Sequence, residues 1–435
     1  YFQSKLRRNK NIYNIFHSLN SHNMKKVVVM GTLLLSGWGV ALAQTDSTAT
    51  EKGATLAAAP VAVSAPTETV SKVKEEPKLS VKPTGRILFD AALFAPKNQK
   101  DLFNDGFGVP DARVGVAAKY DKWYAKVDIG YAYGKVGLKD ILLQYTFNEH
   151  QLLRGGYFVH QFGLQSATSS SFKISMEEPM SQGIFGDPRL LGLMYVHNLD
   201  KFFGTFSFFT ESNSMKMPSD QLGNQGFGMM SRLLYKPFTE DGKILHIGIS
   251  GAFETPQYDK TAALNHKVYT LASPFPTRVA KITAIQARVE NAKRLFKISP
   301  EITAAKGKLG IEAQYYYLTI ARDNGFQNYK ASGAYCSLRG LIKGPDYSYT
   351  HADGGIDTPK PGSMELVAAY NYTDLSDHKA NILGGRANDW SLTYNYYLNK
   401  YMIWRLRASY TKVTDRAGYD NNHVGILETR LQVKF

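Results

Sequence analysis

Residues 425–435 read GILETRLQVKF, and the alternation in this stretch decides the fold. Leu427, Thr429, Leu431, Val433 and Phe435 share one parity, while Glu428, Arg430, Gln432 and Lys434 share the other. Successive side chains of a strand point to opposite faces, so one face is mostly apolar and the other charged or polar. Chain ends are ordinarily polar and frayed. A two-faced strand that closes on a bare aromatic needs an architecture that uses both faces.

The same period runs back through the sequence. In WYAKVDIGYAY (123–133), Trp123, Ala125, Val127, Ile129, Tyr131 and Tyr133 oppose Tyr124, Lys126, Asp128 and Gly130. In SLTYNYYL (391–398), Leu392, Tyr394, Tyr396 and Leu398 oppose Ser391, Thr393 and Asn395, and in MIWRLRASY (402–410) Met402, Trp404, Leu406, Ala408 and Tyr410 oppose Ile403, Arg405, Arg407 and Ser409. The polar parity carries too much charge for a soluble core, and the apolar parity too many aromatics for a solvated face. A two-sheet sandwich would require dry interior faces that this pattern does not supply.

Connections alternate in length. Short ones are YDK (120–122), NEH (148–150), NLDK (198–201), KGK (306–308) and NK (399–400), and long ones span 95–110, 160–188, 212–225, 255–297, 375–387 and 414–423. Short turns on one rim and long loops on the other mark an outer-membrane barrel, with turns in the periplasm and loops outside. The expected fold is all-β, a membrane-spanning antiparallel barrel of about 16 strands. A closed barrel pairs every backbone group and has no edge, so it can cross a bilayer. The connection 343–362, rich in Gly and Pro, is long where a turn is expected, and is read as an extended periplasmic turn.

The front of the chain is organised differently. Residues 1–23 read as a tag remnant (YFQS) and an upstream basic segment. MKKVVVMGTLLLSGWGVALAQ, from Met24, has the charged start, apolar run and small-residue end of a signal peptide over 24–43, with cleavage after Ala43. Residues 44–83, rich in Ala, Thr, Ser, Val and Pro, read as a disordered periplasmic linker, and 84–435 as the barrel. The net charge of +15 includes six Lys/Arg in the first 43 residues, which leaves 46 basic against 37 acidic residues beyond them. A basic exported protein suits anionic partners and not nucleic acid, for which no motif is present. Cys336 is the single cysteine, so no disulfide framework exists.

The chain resembles the phosphate-selective porin O/P family of bacterial outer membranes. The resemblance rests on GRILFDAALF, DARVGVAAKYDKWYAKVDIGY, VGLKDILLQYTF, FGLQSATSSSFKISMEE, PRLLGLMY, GSMELVAAYNYTDLSD, NDWSLTYNYYLNKYMIWRLRASYTKVTDRAG and ILETRLQVKF, in that order. It implies a 16-stranded trimeric barrel in the outer membrane of a Gram-negative bacterium, with arginines and lysines that pass anions such as phosphate along a narrowed pore. Charged rings of this kind select ions. The residues placed for that role are Arg113, Arg189 and Arg232 in or beside strands, Lys126, Arg405, Arg407 and Arg430 on the lumen parity, and Lys173 in the 160–188 loop, which the resemblance folds inward. Phe435 fits the terminal aromatic that barrel assembly machinery recognises. The other implied partners are outer-membrane lipid and lipopolysaccharide; no cofactor or metal is implied.

Departures from the family pattern are Glu178 after the ME pair, and Val159, His160 and Gln161 before FGL. Asp128, Asp140, Glu312, Glu365 and Glu428 also carry lumen parity, where each can pair with a cation or weaken anion selectivity. The alternatives are a non-selective porin and a binding or secretion-associated barrel, for which loop 255–297 is long enough. An enzyme is not expected. The histidines lack zinc spacing, and GNQGFG (223–228) has neither the lysine nor the helix of a phosphate cradle.

Overall fold

The computed structural model describes residues 76–212, 214–256 and 267–435. The signal peptide, the upstream segment and all of the expected linker before Glu76 lie outside the described residues. In chain order the strands are β1 (Ser80–Pro96), β2 (Gly106–Tyr120), β3 (Trp123–Ala132), β4 (Lys135–Asn148), β5 (Gln151–Phe158), β6 (Leu190–Asn198), β7 (Phe202–Thr210), β8 (Phe227–Glu240), β9 (Lys243–Glu254) and β10 (Val268–Pro274). They continue with β11 (Thr283–Glu290), β12 (Ala292–Lys306), β13 (Leu309–Arg322), β14 (Tyr329–Lys343), β15 (Tyr349–Thr350), β16 (Gly355–Ile356), β17 (Met364–Asp377), β18 (Ile382–Tyr396), β19 (Met402–Arg416) and β20 (Asn422–Lys434).

Sixteen of these close into a barrel in which each pairs with its neighbour in sequence, and β10–β11 and β15–β16 form two separate hairpins. The alternation read from the sequence is the alternation of the wall. Val114, Val127, Ile129, Phe206, Leu233, Ile249 and Leu392 are exposed on the outside, while Arg405, Arg407, Glu428 and Arg430 are buried inside. β1 begins at Ser80, inside the segment read as linker, because Ser80 to Thr84 still pair with Lys119 to Gly115.

Two expected long loops are short. Strands β17 and β18 extend to Asp377 and from Ile382, and β19 and β20 to Arg416 and from Asn422. Residues 375–387 and 414–423 look like loops because they are polar. They pair all the same, and their outward polar side chains bond across the strands, as Arg386 does by donating to Asp374 (2.9 Å). A sheet that rises above the apolar belt faces water and needs no apolar parity there.

The barrel closes where the terminal strand meets the first, from Arg86 opposite Lys434 to Pro96 opposite Val424. The Phe435 amide donates to the Gly85 carbonyl (3.1 Å) and the Gly85 amide donates to Phe435 (3.0 Å). A side chain at position 85 would meet the Phe435 ring where it lies, so glycine gives the ring its seat. An aromatic laid over a strand glycine pins the register of the seam. Deleting Phe435, or introducing Gly85→Leu, is expected to reduce the yield of folded barrel several-fold, measured as the heat-modifiable band in outer-membrane fractions, with export unchanged. Full yield of both variants would contradict this account of the seam.

Candidate functional site

A 16-stranded barrel encloses a lumen wide enough for water. Here three segments fold into it. The connection 159–189, with short helices at Gly163–Ala167 and Met180–Phe185, crosses the interior. The hairpin β10–β11 enters from the same rim, and the hairpin β15–β16 enters from the rim of short turns. Phe162, Phe185, Phe275, Ile285 and Tyr316 form a dry core between the first two segments and the wall, each such side chain contributing about 1.5–3 kcal/mol. The described part of the loop kept as a binding element, 267–291, therefore turns inward and packs.

The crossing segment is held at both sides. Gly163 donates from its amide to Ser250 (2.9 Å), and Tyr316 donates to Gln182 (3.0 Å). On the opposite wall Arg405 donates to the Ser175 carbonyl (2.6 Å), Asn395 to the Ile174 carbonyl (2.8 Å), Gln432 to the Ser171 carbonyl (2.9 Å), and Arg430 to the Met176 carbonyl. Arg430 also pairs with Asp90 (2.7 Å) and Glu177 (2.6 Å). Arg407 lies between Asp389 (3.3 Å) and Glu428 (2.9 Å) and donates to the Pro276 carbonyl in the hairpin loop (2.9 Å). Arg232 is fully buried against Glu301 (2.6 Å).

Four of the basic residues placed in the pore by sequence thus do another job. Arg232, Arg405, Arg407 and Arg430 face inward, but the inserted segments cover them, and each donates a hydrogen bond to one of those segments. They fasten the filling of the lumen. Strand parity tells which face a side chain takes and not what stands in front of it.

The space left open runs along the first five strands. It is a cavity of about 780 Å³ between the crossing segment and β1–β5. Arg113, Lys126, Lys173 and Arg189 line it, as does Lys434, which the alternation placed on the polar face, and so do four cations not anticipated: Arg86, Lys139, Arg154 and Arg278. Against these nine stand five lining acids, Asp128, Asp140, Glu178, Asp187 and Asp353. Lys139 was hidden by a bulge. Val127 faces Ile141 and Ile129 faces Leu138, so Lys139 and Asp140 together oppose Asp128. A bulge breaks the period of two and turns both residues to the lumen.

Most lining charges are paired. Lys126 lies 2.6 Å from Asp128 and 3.2 Å from Asp140, which also receives Arg189 at 2.7 Å. Arg113 meets Asp111 at 2.9 Å, and Arg86 shares that carboxylate while donating to the Ser170 hydroxyl (3.0 Å). Glu312 and Glu365 are both taken by Arg339 (3.0 and 2.8 Å). Among the described residues, Lys139, Arg154 and Lys434 have no carboxylate within ion-pair distance. Arg154 donates to Gln144 (2.9 Å) and lies over Phe158, and Lys434 lies over Phe172 (3.8 Å). Such ring contacts leave the positive charge in place.

The departures in the crossing segment also fit. Burial holds the Lys173 ammonium below its usual range, against the opposing pull of Glu178 3.4 Å away. Burial pushes the Glu178 carboxyl up, but Lys173 and Arg278 outweigh it and hold the group below its usual range, so it stands ionised beside them. Burial pushes the His160 imidazole down to about 4, so it adds no charge at neutral pH. A second hollow, about 510 Å³, opens on the outside of the barrel, where Ser231 and Gly251 sit among Phe206, Met229 and Phe253, and it is walled almost entirely by apolar side chains.

A family profile described as phosphate-selective porin O and P matches residues 81–435. The chain belongs to this family. It is an outer-membrane porin of Gram-negative type, a barrel that forms a channel. Among solved structures it is similar to an anion-selective porin from Comamonas acidovorans, with 11% identity and a TM-score of 0.52 over 82% of this chain and 100% of that one. It is also similar to OmpT of Vibrio cholerae as expressed in the outer membrane (10% identity, TM-score 0.53, 82% and 98% covered). A third similar structure is in-vitro folded Vibrio cholerae OmpT in a trimer form (12%, 0.51, 82% and 99%). At these identities the likeness is one of fold. A search of curated proteins finds none that matches.

Breaking a buried pair leaves an unpaired charge behind and costs about 3–5 kcal/mol. Arg407→Ala, which strands Asp389 and Glu428, is expected to lower the unfolding midpoint of this porin in detergent strongly, as read by loss of heat-modifiability with rising denaturant. Lys139→Ala, which strands no acid, is expected to change that midpoint little. Equal effects would show that Arg407 is not a fastener.

Proposed function

We propose that this porin is an anion-preferring diffusion channel with phosphate among its solutes, and that its ions travel along the β1–β5 side of the lumen. The observation that carries the reading is the lining of that path, where nine cations face five acids. An excess of fixed positive charge in a narrow, low-dielectric passage concentrates anions and repels cations. Arg86 and Arg113 face each other across β1 and β2, and Lys139 and Arg189 line the same cavity. Asp111 is shared by Arg86 and Arg113, and Asp140 takes Arg189; the donors left for an oxyanion are Lys139, the remaining N–H groups of these arginines and the hydroxyls of Ser170 and Ser171 beside Arg86. Arginine forks match phosphate oxygens, and lysine serves as a mobile point charge.

The working assembly in this reading is a homotrimer, each subunit carrying its own path. The trimer implied by the family resemblance, and a structural relative described in a trimer form, support it. Loop 255–297 and the other long connections supply no large outward domain among the described residues, which favours a channel over a receptor.

In planar bilayers under a salt gradient, the wild-type pore is expected to show a reversal potential of anion-preferring sign. The double variant Lys139→Ala, Arg154→Ala is expected to lower the anion-to-cation permeability ratio several-fold while retaining conductance, because neither residue balances a carboxylate. A cation-preferring wild type would overturn the reading.

A further inference from the structure

The connection between β14 and β17, residues 344–363, lies on the rim where neighbouring turns are as short as 307–308 and 241–242. It does not hang into the periplasm. Tyr347 and Tyr349 are buried, and the Tyr347 hydroxyl donates to Glu365 (2.7 Å). The connection is also stitched to two other turns: the Gly242 amide donates to the Tyr347 carbonyl (2.8 Å), and the Tyr347 amide to Gly307 (3.1 Å). From that root the hairpin β15–β16 reaches across the barrel. At its tip the guanidinium of Arg232 donates to the carbonyls of Asp353 and Gly354, and Asn198 of β6 donates to the His351 carbonyl (2.8 Å). His246 of β9 bonds the Tyr349 hydroxyl (3.1 Å). The hairpin therefore closes the β6–β14 side of the lumen and leaves the β1–β5 side open.

Only the main chain of Asp353 is used in this docking. Asp353 is among the residues that line the open cavity. No cation lies within ion-pair distance of it among the described residues. Arg154, on β5, lines the same cavity, as does Lys173 of the crossing segment. Arg154 in turn has no carboxylate within ion-pair distance among the described residues, and donates to Gln144.

We propose that the hairpin Tyr349–Ile356 sets the bore of the channel at its periplasmic end, and that Asp353 is a specificity-determining residue there. A row of cations that attracts anions also retains them, and conduction requires that the last site let go. The Asp353 carboxylate, unpaired in the cavity that Arg154 also lines, supplies the repulsion that releases the anion. This inference rests on the reading of the path as an anion channel.

The experiment compares wild type, Asp353→Asn and Asp353→Lys in planar bilayers, with chloride and inorganic phosphate as probes. Asp353→Asn keeps the main-chain contacts to Arg232, so the hairpin stays docked. It is expected to raise the anion-to-cation permeability ratio about fivefold, the effect of one unit charge about 4 Å from a hydrated path, and to make the current saturate at lower anion concentration. Asp353→Lys is expected to move both further in the same direction. Replacing Tyr349–Ile356 by two glycines is expected to raise single-channel conductance. An anion-preferring wild type with unchanged selectivity and saturation in both Asp353 variants would overturn the role of Asp353. Unchanged conductance in the shortened hairpin, with the barrel still heat-modifiable, would overturn the role of the hairpin. Should that variant fail to fold, modification of Asp353→Cys by an anionic thiol reagent in the folded pore decides: reduced current supports the placement, and no change overturns it. A wild type that prefers cations would instead defeat the channel reading itself.

Discussion

The pairing of buried charge inside the barrel is the constraint on which the rest of this structure depends. A closed wall needs nothing inside it to satisfy its backbone, yet three segments enter the lumen, and each is met by arginines rooted in the wall. Arg232 alone touches Glu301 on β12, Gln161 in the crossing segment, and two carbonyls of the periplasmic hairpin. Arg430 joins β1 to the crossing segment, and Arg407 joins β18 and β20 to the loop beyond β10. A buried ion pair is weak evidence of net stability, but losing one partner is costly. Such pairs therefore fix where a segment lies more than how firmly the whole holds.

The consequence, in the reading proposed above, is an eccentric channel. One side of the lumen is filled by an apolar core and covered at its periplasmic end by a folded turn, and the other side keeps an open cavity lined by charge. Two populations of arginine result from one inward parity. Those under the inserted segments are spent on carboxylates and carbonyls. Those along β1–β5 share their acids or have none, and nine cations against five acids line the cavity beside them.

Much of this was legible in the sequence. The alternation in GILETRLQVKF, MIWRLRASY and WYAKVDIGYAY gives strands, faces and closure, because period two survives wherever lipid lies on one side. The inward parity of Arg405, Arg407 and Arg430 is correct for the same reason. Their burial was not legible, since it depends on contacts far away in the chain, as between Arg405 and Ser175. Lys139 was hidden by a bulge, and Arg278 by its place in the turn of an inserted hairpin. The 344–363 connection was read from its Gly and Pro content as a turn; the signal of a docked segment was its apolar set, Tyr347, Tyr349 and Ile356, which has no reason to be in a solvated loop.

The central claim is that ions follow the β1–β5 wall and are shut out of the rest of the lumen. The most direct measurement places single cysteines in a Cys336→Ser background, at Thr84, Lys139 and Arg154 along the path, and at the fully buried Thr303 and Thr373 on the opposite wall. An anionic thiol reagent is then added during single-channel recording. The account requires stepwise loss of current at the first three positions and none at the last two. Block at Thr303 or Thr373, with none at Lys139 and Arg154, would contradict it.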